Sequence, residues 1–180
     1  MDIRTQKTRA LIANTFLSLL KEKPIDRISV AELTSQAHIN RSTFYRHYTD
    51  IYNLRDTITT EFSDEIVAHF EEHLSEMENG EYRGWITELL DYVSANKEVI
   101  ILTNKNTADP TLVNQLRATF IDKIFHYQNI KVTRFSRIIA TDYCVSGTLS
   151  LVYDWITGKL NVSEGQLVED IDKFIGDVQK

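Results

Sequence analysis

Apolar residues return at every third or fourth position through almost the whole chain, and this spacing limits the fold more than anything else in it. From Ile51 the apolar series runs Leu54, Ile58, Phe62, Ile66, Phe70, Leu74 and Met77, with every step three or four. Such a series lays one stripe along a single helix of about seven turns. The same steps recur in Ile12, Phe16 and Leu19/Leu20, in Trp85, Leu89/Leu90 and Val93, in Leu112, Leu116, Phe120 and Ile124, and in Leu167, Ile171, Phe174 and Val178. A strand needs a period of two and would scatter these residues over both faces. The expected fold class is therefore all-α, with about nine helices.

Local signals divide the series. A first helix over about 5–22 ends before Pro24. Ser29-Val30-Ala31-Glu32 is a capping box that opens a short helix to about Ala37. His38-Ile39 forms a turn, and Asn40 can cap a third helix from Arg41 to about His47. Asp50 can cap the fourth. Asn79-Gly80 breaks the pattern, and Val99-Ile100-Ile101-Leu102 reads as a short buried helix. Asp109-Pro110 starts another helix, with proline at its first position. A long helix from about Thr133 to Thr157 stops at Gly158, and Ser163-Glu164-Gly165-Gln166 caps the last.

Composition excludes several classes. One cysteine, Cys144, in 180 residues leaves no internal disulfide and no cysteine-based zinc site. The uncharged run Tyr143–Tyr153 falls well short of the roughly 20 apolar residues of a membrane span. The first seven residues lack the apolar core of a signal peptide, so a soluble cytoplasmic protein is expected. Net charge is −6, but it is unevenly spread: residues 1–49 carry eight Lys and Arg against four acids, and the remainder carries a net −10. A basic head on an acidic body points to a polyanion met by the head alone.

Two short helices joined by a tight turn in that basic segment read as a helix-turn-helix. The second, Asn40-Arg41-Ser42-Thr43-Phe44-Tyr45-Arg46-His47-Tyr48, is dense in groups suited to a DNA groove. With Phe44 turned inward, Arg41, Ser42, Thr43, Tyr45, Arg46 and His47 point outward. Arg41 or Arg46 can donate a fork of hydrogen bonds to guanine. Thr43 and Tyr45 can meet a thymine methyl or a phosphate. Ser29 and Tyr48 complete the candidate DNA-binding set. Backbone N–H groups just after Asp50 are expected to face the phosphate chain. Without a ligand, the same residues would be two helices of a bundle.

The run Ile28-Ser29-Val30-Ala31-Glu32-Leu33, then Ala37-His38-Ile39-Asn40-Arg41-Ser42-Thr43-Phe44-Tyr45-Arg46-His47-Tyr48 and Leu54, resembles the DNA-binding domain of the tetracycline-repressor (TetR) family over about residues 5–60. The resemblance implies a homodimeric, all-helical transcription regulator with an N-terminal three-helix head and a variable sensing body. It assigns phosphate or base contacts to Tyr45 and His47, and base reading to Arg41, Ser42 and Thr43. Two positions depart from the family pattern. His38 stands where the turn usually has glycine, and Ile51 stands where a phosphate-contacting lysine is usual. The division expected is a helix-turn-helix domain over 1–49 and an effector-binding and dimerisation domain over 50–180.

In the body, Trp85, Tyr92, Phe120 and Tyr143 are candidates to line an effector pocket, though a plain core uses the same residues. The long helix near the C-terminus is apolar on more than one side, which implies a second layer of cover. Small residues gather along it, so Ala140, Cys144, Gly147, Leu151 and Trp155 are expected at a dimer face, with Leu167, Ile171 and Phe174 from the last helix. His69-Phe70-Glu71-Glu72-His73 spells H-x-x-E-H, but no third metal ligand is evident from spacing, so it reads as a polar helix flank. No cofactor, no metal and no enzymatic activity are expected. The expected partners are double-stranded DNA, a second copy of the chain, and an effector of unknown kind. The alternative is a helical sensor or adaptor that binds a small molecule or protein without DNA.

Overall fold

The computed structural model describes residues 3–104, 111–127 and 135–178. Ten α-helices and a 3-10 turn make up the described elements: α1 (Ile3–Glu22), the 3-10 turn Ile25–Arg27, α2 (Val30–Gln36), α3 (Arg41–Tyr45), α4 (Ile51–Glu72), α5 (Leu74–Glu78), α6 (Arg83–Ala95), α7 (Lys97–Asn104), α8 (Thr111–Tyr127), α9 (Phe135–Ile156) and α10 (Glu164–Val178). No strand occurs among the described residues, as the apolar period requires. The Asp109-Pro110 cap and the start of the long helix near Thr133 lie outside the described residues.

The chain divides into two units. One comprises residues 1–62 and 98–108; the other comprises 63–97 and 109–180. The first unit is built around Ile12, Phe16, Leu19, Leu33, Phe44, Ile51 and Leu54, all buried, and α7 contributes Leu102 to the same cluster. Val99–Leu102 is thus a buried helical segment, and chain far from the N-terminus completes the head. In the second unit α6 and α10 pack together, as do α8 and α9. Its aromatic centre is Phe70, Trp85 and Phe120: the two phenyl rings stack at 4.3 Å, and each meets the indole edge-on.

The helix expected to run unbroken from Asp50 to Met77 is interrupted. α4 stops at Glu72, His73 takes φ −96° and ψ 0°, and α5 begins at Leu74. The His73 N–H reaches back only three residues, to the Phe70 carbonyl at 3.2 Å. At the break the imidazole is tied at both nitrogens, to Glu76 one turn on and to Glu88 on α6. Apolar spacing carries on across the break, so periodicity alone does not show it.

Candidate nucleic-acid interface and body cavity

Ser29 caps α2 as its sequence implies, its hydroxyl accepting the Glu32 N–H at 3.2 Å. At the other end the Ile39 N–H bonds the Thr34 carbonyl at 3.0 Å and the His38 N–H bonds the Ser35 carbonyl at 3.2 Å. These two bonds form a Schellman closure, which needs a left-handed residue at its hinge. His38 supplies it with φ +52°, where glycine is the usual residue. The turn then delivers α3 at a sharp angle. Asn40 precedes α3 in extended conformation but makes no side-chain capping bond.

α3 is five residues long and continues as a tighter turn, in which the His47 N–H bonds the Phe44 carbonyl at 2.9 Å. Phe44 is fully buried and anchors the segment, with its ring 5.5 Å from that of Tyr45 and 5.6 Å from that of Tyr48. Arg41, Ser42, Tyr45 and Arg46 are exposed, and Thr43 and His47 are half-buried. Tyr45 stands out as an aromatic left 57% exposed. Neither Arg41 nor Arg46 has an ion-pair partner among the described residues. The first unit therefore presents two uncommitted guanidinium groups, two hydroxyls, an imidazole and a phenol on a stub narrow enough for a major groove about 12 Å wide.

Tyr48, Ile51 and the start of α4 sit differently from the rest of this face. Tyr48 is buried, 4% exposed, and its hydroxyl accepts from Arg9 Nε at 3.4 Å. It is a core side chain because the turn after α3 swings it onto Phe44. Ile51 is also buried, so an apolar residue there serves the core, and the neighbour that faces out is Tyr52. At the start of α4 the Asn53 N–H is taken by Asp50 Oδ1 at 2.8 Å, and the Thr49 N–H is taken by Asn53 Oδ1 at 3.1 Å. One amide expected to face phosphate, that of Asn53, is thus already satisfied within the chain.

The second unit contains a cavity of about 70 Å³. Phe70, Trp85, Leu89 and Phe120 form its apolar wall, and Tyr82, Thr141, Cys144 and Thr148 add polar groups. Burial pushes the Tyr82 phenol and the Cys144 thiol up from their ordinary values, so both are neutral donors there. Trp85 and Phe120 stand where a pocket would need them; Tyr92 and Tyr143 do not. The Tyr92 ring packs on His69, and its hydroxyl donates to Glu65. Tyr143 is 70% exposed on the outer side of α9.

That outer side carries an apolar strip. Ile139, Tyr143 and Leu151 are exposed at steps of four or eight along α9, with Gly147 between them, and Phe174 and Val178 stand exposed on α10. A shallow groove of about 220 Å³ runs between the two helices. Of the residues expected at a dimer face, Leu151 and Phe174 are on this strip. Ala140, Cys144 and Gly147 are partly covered, and Trp155 is half-buried, its indole N–H donating to the Val162 carbonyl at 3.1 Å. Leu167 and Ile171 are 3% and 2% exposed and packed within their own chain, and Ile171 also lines the groove together with Cys144 and Gly147.

An all-helical chain with a cap-turn-helix head and a separate helical body is the architecture of a helix-turn-helix regulator. Residues 80–177 match the family model described as the transcriptional regulator C-terminal region of the TetR type. The chain belongs to the TetR family of transcription regulators. A curated relative, the uncharacterized helix-turn-helix-type transcriptional regulator YxbF of Bacillus subtilis (strain 168), is 33% identical over 70 residues. That match spans 38% of this chain and 18% of the relative's length. Among solved structures, a TetR transcriptional regulator from Streptococcus agalactiae 2603V superposes with a TM-score of 0.63 at 18% identity, covering 96% of this chain and 95% of the other. A TetR-family regulator from Syntrophomonas wolfei str. Goettingen gives 0.68 at 14% identity, covering 94% and 93%. No described helix is long and apolar enough to cross a membrane.

Proposed function

We propose that this chain is a sequence-specific DNA-binding repressor that reads a palindromic operator as a homodimer and is released by an effector. The observation that carries the reading is the outward face of α3. Arg41 and Arg46 are exposed and without an ion-pair partner among the described residues, flanked by Ser42, Thr43, Tyr45 and His47, while Phe44 locks the segment to the core. Arg41 is placed to read a base edge, and Tyr45 and His47 to hold phosphate. Ser29 lies at the start of α2 with its hydroxyl partly committed to the cap, and contacts phosphate through its remaining capacity.

The strip on α9 and α10 supports the dimer. A Cβ added at Gly147 would meet nothing within 4 Å in its own chain. Internal packing therefore does not require glycine there, and glycine in a helix costs about 1 kcal/mol relative to alanine. Close approach of a second copy's helix gives that cost a purpose. Two heads related by a twofold axis would enter successive major grooves about 34–36 Å apart. The effector is assigned to the cavity beside Trp85 and Phe120. It shifts the equilibrium only by its differential affinity for the DNA-competent and released states. The protein acts where its DNA is, in the cytoplasm.

Fluorescence anisotropy with the duplex upstream of the chain's own gene, compared with a random duplex over a salt series, tests the reading. A specific site retains affinity where random DNA has lost it. The same assay yields a sharper prediction. Arg41→Ala is expected to weaken specific binding by about 1–3 kcal/mol and leave random-duplex binding nearly unchanged. Equal loss on both would make Arg41 a phosphate contact. One observation favours an adaptor without DNA binding: the Asp50 carboxylate stands exposed beside the interface. Absence of any sequence preference at low salt would establish that alternative.

A further inference from the structure

The side of α4 that ends at the helix break carries a cluster that the regulatory reading does not use. His69 and His73 lie one turn apart, and α6 brings Glu88 between them. His69 Nδ1 is 2.6 Å from Glu88 Oε1, and His73 Nε2 is 2.6 Å from Glu88 Oε2. Glu72 stands close by: donor atoms of His69, Glu72 and Glu88 all lie within 4.8 Å of one another. We propose that His69, His73, Glu88 and Glu72 form a binding site for a divalent transition-metal ion of the zinc type.

Three features of the geometry support a metal over a plain ion-pair network. The first is His69. Its Nδ1 is shielded from solvent and makes no hydrogen bond, although a carboxylate oxygen is 2.6 Å away. Two ligands of one tetrahedral zinc lie about 3.3 Å apart, so Glu88 Oε1 draws back from this shielded nitrogen by several tenths of an ångström to admit the ion. The second is His73. Its Nδ1 is 2.7 Å from Glu76 Oε2, so the Glu76 carboxylate accepts from the Nδ1–H and leaves Nε2 to face the cluster. A carboxylate behind a histidine is the usual outer support of a metal-bound imidazole, fixing its tautomer and raising its basicity. The third is Gly84 on α6. A Cβ there would come within 3.1 Å of Glu76 Oε2 and 3.3 Å of His73 Cε1. The missing side chain is what lets the supported imidazole lie against α6.

Two imidazoles and two carboxylates make an N2O2 set, which suits zinc and its neighbours in the first transition row and is poorly matched to magnesium or calcium. Without the ion, the two ring nitrogens of His73 bond the Glu76 and Glu88 carboxylates. Those carboxylates raise His73 above its ordinary value, and His73 in turn holds the Glu88 carboxyl below its ordinary range. A proton carried on Nε2 leaves to solvent as the metal binds, and the Nε2 lone pair enters the coordination sphere. The ion ties residues 69–73 to α6 within the second unit.

The test uses Zn2+ alone with the full chain, stripped by chelator and titrated against a chromophoric competitor. One Zn2+ per chain is expected, with affinity reduced at least about tenfold in Glu88→Gln and in His69→Gln. His126→Gln, on the exposed end of α8, should bind as the parent does. Zinc at a hundredfold excess over Kd should raise the melting temperature of the parent by roughly 5–10 °C. No saturable binding by the parent overturns the proposal, and so does binding unchanged in both variants. Where a variant does not fold, the parent loaded with Co2+ decides. Visible bands of a four-coordinate nitrogen and oxygen site support the assignment, and the weak bands of hexaaquo cobalt contradict it. Neither outcome bears on DNA binding, which does not use these residues.

Discussion

A chain carrying aspartate at both Tyr143 and Phe174 is expected to run as a monomer and to lose operator affinity by at least about a hundredfold. Both side chains are mostly exposed in the single chain, at 70% and 65%, yet both are large and apolar, and they flank one groove. Scattered exposed apolar residues need no explanation, but a strip with Ile139, Leu151 and Val178 beside them marks an interaction surface. On a twofold axis the strip would meet itself, so each substitution places its charge twice in the interface. Neither position is buried in its own fold, so the helical content of the monomer should be retained. The loss on DNA follows from linkage: with one half-site bound, the second head binds at an effective concentration in the millimolar range, and a monomer forfeits that gain. Sedimentation velocity and anisotropy on the same samples check both halves. A double variant that stays dimeric would move the interface elsewhere.

Phe44→Ala is expected to cost about 3–5 kcal/mol and to melt the head ahead of the body. Phe44 is fully buried, and the helix that carries it has only five residues, too few to persist without tertiary packing. Its ring also touches the rings of both tyrosines that flank the exposed face. The first unit is small, and total stabilities of about 5–15 kcal/mol leave little reserve against such a loss. Thermal unfolding followed by circular dichroism should show a low-temperature transition that is missing from the parent, with DNA binding lost below it. The body's helices should melt at the parental temperature. A single unshifted transition would mean that Phe44 does not anchor α3.

These two residues also show what the amino-acid order makes legible. Phe44 is readable as an anchor because the short helix has a single apolar position among polar ones, and Phe174 is readable as apolar and helical. The side on which Phe174 emerges is not readable. Leu167, Ile171 and Phe174 share one series, but Leu167 and Ile171 turn into the body while Phe174 stands out. Spacing of three or four defines a stripe, and the width of the stripe that is covered depends on neighbours the spacing does not name. Tyr48 and Ile51 show the same limit in the head: aromatic and apolar types near a basic face can serve the face or the core, and here both serve the core. Tyr92 and Tyr143 were chemically suited to a pocket, and they lie away from it for the same reason.

Caps and turns were the most legible features, because their chemistry is local. Ser29, Ser163, Asp50 and Gly158 each act within a few residues of themselves, and each stands where its type demands. The break at His73 was hidden for the opposite reason. It coincides with a contact to Glu88, fifteen residues away on another helix, and the apolar series runs through it unaltered. The third donor for the H-x-x-E-H segment was hidden in the same way. A pair on one helix is visible as a spacing, whereas its companion is supplied by tertiary packing.

The proposed function rests on the outward face of α3, presented twice by a dimer, reading base edges. Selection of bound duplexes from a random pool by the purified chain, at near-physiological salt, tests it directly. The expected outcome is enrichment of an inverted repeat whose half-site centres lie one helical turn, or a multiple of it, apart, with Arg41→Ala relaxing the preference at one symmetric pair of positions. Enrichment of no sequence at all, or of a motif that Arg41→Ala and Tyr45→Ala leave untouched, would contradict it.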